Sequence, residues 1–249
     1  MTQVRRLRAK NRVGNIIGRV GPNGDSGVWS IHDRASDPYY NDVSLLLHMD
    51  GTNGSTTFTD LSRFAHTVTA NGNAQVSTTQ SQFGGASAVF DGNGDYLSVP
   101  TNSAFDFGTG DFTVECWVYA ASFPIDKFII SASGSGGLFW GFRQVNGMGI
   151  GRAGVAWDIE NIAHNLPANT WTHTAVCRRS SSVQFFVNGA QVGSTATNTR
   201  SYNLSTGSLT VASQGANFYM NANIDELRVT KGIARYRSAF VVPPRAFLP

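Results

Sequence analysis

Acidic and aromatic residues crowd together at Trp157-Asp158-Ile159-Glu160, the stretch where chemistry on a sugar would first be sought. A retaining glycosidase needs two carboxylates about 5–5.5 Å apart. Residues i and i+2 of a strand face the same way, so Asp158 and Glu160 could share a face. The third acid of an E-x-D-x-E spacing is missing, and Glu115 has no acidic neighbour two residues away. The five histidines (His32, His48, His66, His164 and His173) show no metal spacing, and no serine sits in a nucleophile elbow. No catalytic residue is therefore assigned, and the chain is expected to bind rather than to catalyse. Sugars stack an apolar face on an aromatic ring and hydrogen-bond to nearby Asp, Asn or Arg. Trp117, Tyr119, Trp140, Phe142, Arg143 and Trp157 could line a concave face or rim for that purpose, or could equally be packed in a core.

The elements that must position these residues are strands. Phe112–Tyr119 (FTVECWVY) alternates with period two: Phe112, Val114, Cys116 and Val118 take one face, and Thr113, Glu115, Trp117 and Tyr119 the other. The first face reads as core, the second as the other side of a central sheet or a shallow binding surface. Gly85–Pro100 holds two apolar runs around Asp91-Gly92-Asn93-Gly94-Asp95, the layout of a β-hairpin. Lys127–Ala132 with Leu138–Gln144, and Thr170–Arg179 with Ser182–Asn188, form further hairpins. Asn188-Gly189 turns into Ala190–Ser194, and Asn223–Thr230 is the last strong strand. Gly232–Tyr236 is expected to make one helical turn. About a dozen short strands with no ordinary helix and no fixed repeat imply an all-β antiparallel sandwich.

Composition agrees. Charged residues make up only 14% of the 249 residues, while glycine alone numbers 27; few charges and many turn formers suit short strands and tight turns. Residues 1–19 carry Arg5, Arg6, Arg8, Lys10, Arg12 and Arg19 and no acid, so that segment holds +6 of a formal +3 and the remainder holds −3. Aromatics are missing from Met1–Val28, which leaves no stacking platform for single-stranded nucleic acid. The arm is expected to dock on a partner protein or to be a solvated tail, with Trp29 as an anchor on its own domain or on a partner. No apolar run reaches the ~18 residues of a membrane span, and Val13–Val20 is too short and glycine-rich for a signal-peptide core. Cys116 and Cys177 lie inside expected strands with no metal-ligand pattern, and buried free thiols are favoured over a disulfide. The expected organisation is a basic arm and linker over 1–42, a sandwich over 43–240 and a proline-rich tail over 241–249.

Six blocks resemble the concanavalin A-like jelly-roll superfamily, specifically laminin G-like and pentraxin-like domains. They are Phe83–Ser87, Phe90-Asp91-Gly92 with Gly94–Leu97, Asp111–Glu115 with Trp117, Trp171-Thr172-His173, Phe186–Gly189 and Ile224–Val229, in the family's order over about Val43–Tyr236. The Val43–Gly54 opening (VSLLLHMDGTNG), after an arm containing Gly27-Val28-Trp29-Ser30, looks most like bacteriophage versions, particularly from marine and cyanobacterial phages. The resemblance implies two opposed antiparallel sheets, one of them concave. It also implies a structural Ca2+ held by Asp225 at the start of the last strand, with Asp50 and Gly92 in the stretches that would supply the remaining ligands. It does not bring the superfamily's hydrolase motif. The function it implies is a non-enzymatic virion protein made in the host cytoplasm, such as a capsid decoration or tail-fibre component. Arg5, Arg6, Arg8 and Trp29 would attach it to other virion proteins, as a homo-oligomer in the particle, and the sandwich would present a surface for host glycan or protein. A free carbohydrate-binding lectin is the alternative, with a glycoside hydrolase behind it.

Overall fold

A computed structural model of the chain describes residues 37–144, 147–215 and 217–249. Two antiparallel sheets dominate it. The larger runs β14 (Ala190–Thr197), β13 (Ser182–Val187), β12 (Thr172–Arg179), β7 (Phe112–Tyr119), β17 (Asn221–Lys231), β4 (Ser87–Asp91) and β3 (Gln75–Ser77), with β1 (Val43–Leu47) also paired to β17. The smaller runs β11 (Ala156–Ala163), β10 (Gly147–Arg152), β9 (Leu138–Gln144), β8 (Lys127–Ala132), β16 (Leu209–Val211), β5 (Tyr96–Val99) and β2 (Thr69–Asn71). A short ribbon of β15 (Tyr202–Asn203) and β6 (Asp106–Gly108) completes the set. Among the described residues the only helical elements are 3-10 turns at Tyr40–Asp42 and Ser103–Phe105.

The core follows from alternation. Phe112, Val114, Cys116 and Val118 of β7 meet Leu138, Trp140 and Phe142 of β9 and Met148 and Ile150 of β10 in one continuous apolar cluster between the sheets. Ala88 and Phe90 reach that cluster from the larger sheet, and Leu97 and Val99 from the smaller one. This corrects the hairpin expected over Gly85–Pro100. β4 pairs with β17 and β3, whereas β5 pairs with β16 and β2, so the turn carries the chain from one sheet to the other. Its side chains enforce the crossing. One carboxylate oxygen of Asp95 accepts the Asp91 N–H at 3.0 Å, and the other accepts the Asn73 N–H at 2.6 Å. The strong turn signal was real, but a tight Asx/Gly turn does not by itself dictate which strands pair.

The other expected hairpins pair as read: β8 with β9, β12 with β13, and β13 with β14 through Asn188 and Gly189 at φ 46 and 78. Gly232–Tyr236 makes no helical turn. Gly232 leaves the strand at φ 83, and the segment is tied down by Thr113, whose hydroxyl donates to the Ile233 carbonyl and accepts the Arg235 N–H. The C-terminal stretch is docked, with Phe247 buried against Val43 and Leu46. Cys116 faces the core and Cys177 packs with Ala175 and Phe186 on the other side of the sheet, so both are free and buried. Burial pushes both thiols up, that of Cys177 to about 12.

Candidate functional site

The two sheets treat their outward faces differently. On the smaller sheet, β10 presents Gly147, Gly149 and Gly151 outward while Met148 and Ile150 point into the core. That bare strip lets the Trp157 side chain of β11 lie against the sheet. A Cβ on Gly149 would come within 2.9 Å of the Trp157 ring, and one on Gly151 within 2.5 Å of Phe139. Trp157 is wedged by aromatics: Phe128 is stacked at 5.6 Å and Phe139 meets it edge-on at 4.6 Å. Phe218 in turn packs edge-on against Phe128.

These side chains line an open cleft of about 280 Å3 with Asp126, Arg143, Arg152, Val155 and Gln214. Arg143 lies over the Trp157 ring at 5.7 Å. It donates through Nη1 to Asp126 at 2.9 Å and through Nε to Glu160 at 3.1 Å. Arg152 donates through Nε and Nη2 to the two oxygens of Asp158, both at 2.9 Å. These carboxylates hold both guanidinium groups above their ordinary pKa. The cleft thus offers a planar aromatic floor with fixed donors and acceptors at its edge.

Of the sequence-predicted ligand residues, the structure brings Arg143 and Trp157 together and separates the rest. Trp140 is fully buried and, like Phe142, belongs to the core. Trp117 and Tyr119 sit on the outward face of the other sheet. Trp117 is nearly buried there between Phe83 and His173, and Tyr119 is tilted against Trp171. The sequence reading missed Asp126, Arg152 and Phe218. It also passed over the Gly-x-Gly-x-Gly run of β10, a readable signal for a strand whose outer face must accept a flat ring. Register shifts between β10 and β11 break the two-residue alternation at Asp158 and Glu160, and each acid is held by a different arginine.

The expected calcium residues divide. Asp225 is buried in β17. Its Oδ2 accepts the Gln82 and Phe83 N–H groups at 2.9 and 3.0 Å, while its Oδ1 has no hydrogen-bond partner. The Asp50 carboxylate lies against Gly84, where a Cβ would overlap it. Glu226 sits beside Asp225 on a β-bulge at φ 53. It binds His48 Nδ1 at 2.7 Å through one oxygen and the Phe247 N–H at 2.7 Å through the other. Burial first, then the negative charges of Glu226 and Asp50, raise Asp225 to about 7 against the pull of its two amide donors. Gly92 is a correction: it abuts Asn221, four residues along β17 from Asp225, or about 13 Å at ~3.3 Å per residue. Among the described residues no three His, Cys, Asp or Glu side chains are placed to hold a metal ion. Asp225 and Asp50, with an orphaned buried oxygen, fit a cation that draws its other ligands from carbonyls.

Arg5, Arg6, Arg8 and Trp29 lie outside the described residues.

A laminin G-type family profile, described as the concanavalin A-like lectin/glucanases superfamily, matches residues 91–234, more than half of the chain. The chain belongs to this superfamily. Comparison with curated protein sequences gives no match. Among solved structures, the chain is similar to domain 4 of AbnA, a GH43 extracellular arabinanase from Geobacillus stearothermophilus, in complex with arabinotriose. That match has 16% identity and a TM-score of 0.59, and covers 77% of this chain and 93% of that one. It is also similar to the binding domain of Paraclostridial Mosquitocidal Protein 1, at 13% identity and a TM-score of 0.60, covering 78% and 50%. The binding domain of botulinum neurotoxin DC in complex with SialylT matches at 17% identity and a TM-score of 0.54, covering 78% and 49%. The chain therefore spans about half the length of those toxin domains, and the likeness at these identities is one of fold.

Proposed function

We propose that the chain is a non-enzymatic glycan-binding module of a bacteriophage virion protein, a capsid decoration or tail-fibre component. The observation that carries the binding reading is Trp157, laid on the glycine strip of β10 with Arg143 and Asp126 at its edge. A partly exposed aromatic ring flanked by a fixed donor–acceptor pair suits the CH face and hydroxyls of a sugar ring. Binding is favoured over hydrolysis because Asp158 and Glu160 are each engaged by a separate arginine. The phage placement rests on the resemblance of VSLLLHMDGTNG and on the basic arm, whose Arg5, Arg6, Arg8 and Trp29 would dock on other virion proteins. Asp225 and Asp50 would hold a structural calcium that holds the Gln82–Gly84 loop against β17. A protein ligand is the second reading, favoured by the exposed side chains of Val155 and Phe218 at the cleft and of Ile125 beside it.

The test is a glycan array probed with the full chain and with Trp157→Ala. Binding to a glycan that Trp157→Ala weakens at least tenfold, about 1.4 kcal/mol, with an unchanged circular dichroism spectrum, is the expected result. Binding that Trp157→Ala leaves intact would remove the cleft from the function.

A further inference from the structure

We infer that the cleft selects a neutral sugar residue and rejects anionic ones such as uronic acids, sialic acids and sulfated sugars. This rests on the glycan-binding reading and narrows it. Two guanidinium groups, Arg143 and Arg152, face three carboxylates, Asp126, Glu160 and Asp158. Of these, Arg143, Arg152 and Asp126 line the cleft, while Glu160 and Asp158 pair with the arginines beside it, so the whole five-residue cluster totals one net negative charge. Neither arginine is left as an unpaired cation. Arg143 spends Nε and Nη1 on two acids, and Arg152 binds both oxygens of one acid. An anionic ligand would have to displace one of these pairs or meet Asp126 and Glu160 at close range, and like charges brought together across an interface cost several kcal/mol.

The polar groups that remain suit hydroxyls. Arg143 Nη2 makes no hydrogen bond among the described residues and can donate, while Asp126, about one-third exposed, can accept. A sugar hydroxyl both accepts and donates, so adjacent hydroxyls can bridge the pair without changing its charge. The apolar surroundings act in the same direction. Val155 and Phe218 line the cleft with roughly half of their surface exposed, and a ligand charge carried in among them would lose hydration without gaining a partner. The volume of about 280 Å3 lies just below the ~300–1,000 Å3 of sites for drug-sized ligands. It suits a single sugar residue seated on Trp157, with the rest of the glycan outside.

The experiment uses the full chain on an array that prints each neutral glycan beside its carboxylated or sulfated counterpart, lactose beside sialyllactose and galactan beside polygalacturonate among them. Affinities of the best pair are then measured at low and high salt. The neutral member is expected to bind at least tenfold more tightly, with the gap narrowing as salt rises. The double variant Asp126→Asn, Glu160→Gln is expected to lose that discrimination. An anionic member that binds as well as its neutral partner, or better, would overturn the selectivity and leave the glycan reading standing. Absence of any Trp157-dependent glycan binding would overturn both.

Discussion

The outward faces of β7 and of the β9–β11 sheet begin from similar sequence and end as opposites. Both interleave aromatics with charge: Thr113, Glu115, Trp117 and Tyr119 on one, Phe139, Arg143, Trp157 and Glu160 on the other. On β7 the chain covers its own face. Glu115, fully buried, accepts Arg228 at 2.8–2.9 Å, His173 Nε2 at 3.1 Å and the Tyr236 hydroxyl at 2.6 Å. Asp37 closes the network by accepting from Arg228 and Arg235, and Phe247 packs its ring 3.9 Å from the Arg228 guanidinium. On the smaller sheet Trp157 is only partly covered, by Phe128, Phe139 and Arg143, and the Arg143 ion pairs stay partly in water. Charged aromatic strands thus end buried or partly open according to whether segments distant in the chain fold over them.

The sharpest way to break this comparison is to remove one arginine from each face. Arg228→Ala leaves Glu115 and Asp37 buried with a charge removed from between them, and breaking a buried pair in this way costs about 3–5 kcal/mol. Arg143→Ala removes two partly exposed pairs, to Asp126 and Glu160, and is expected to leave the melting temperature nearly unchanged. Chemical denaturation of both variants decides it. Equal losses would mean that the two faces are not energetically distinct. Acid should separate them too. The Arg228 guanidinium, with His173 and Arg235, outweighs burial and holds Glu115 well below the usual carboxylate range. Its contribution is present above the unfolded value of ~4.3 and is lost as pH falls below it.

A smaller effect is expected from the open face. Gly149→Ala puts a methyl 2.9 Å from the Trp157 ring and 2.4 Å from the Ile159 carbonyl. It should lift the ring off β10 and lower the affinity for a neutral glycan several-fold, read by titration calorimetry, while the protein still folds cooperatively. Unchanged affinity would mean that the ligand does not sit on this ring.

Much of this contrast was hidden in the sequence for a physical reason. The alternation of β7 separated its two faces correctly, and the Leu138–Gln144 pattern placed a strand. A period of two cannot say what covers a face, because the cover comes from residues far along the chain: Asp37, Arg235 and Phe247 for Glu115. Trp140 and Trp157 look alike as isolated tryptophans, and only the glycines opposite Trp157 mark it as lying on a sheet surface. Asp225 and Asp50 were legible as neighbours through resemblance, whereas Gly92 was misplaced because β4 pairs with the first residues of β17 and sets its turn beside Asn221, four residues before Asp225.

The last effect belongs to Asp225, and it tests whether the covered side of the molecule also holds a cation. The Asp225 carboxyl is raised to about 7, chiefly by burial and then by Glu226 and Asp50. A folded value above the unfolded one of ~3.9 gives stability that is fully present below the unfolded value and lost as pH rises through 7. With chelator present, unfolding free energy should therefore fall between about pH 4 and 7, by at most about 1.4 kcal/mol per pH unit from this group. Asp225→Asn should flatten that part of the profile. Calcium bound by the Asp225 and Asp50 carboxylates would reverse the sign, because it stabilises the ionised form. Added calcium should then raise the melting temperature near pH 7 in the unaltered chain and leave Asp225→Asn unmoved. A pH profile indifferent to calcium in both proteins would assign the orphaned oxygen to a protonated carboxyl and not to a metal.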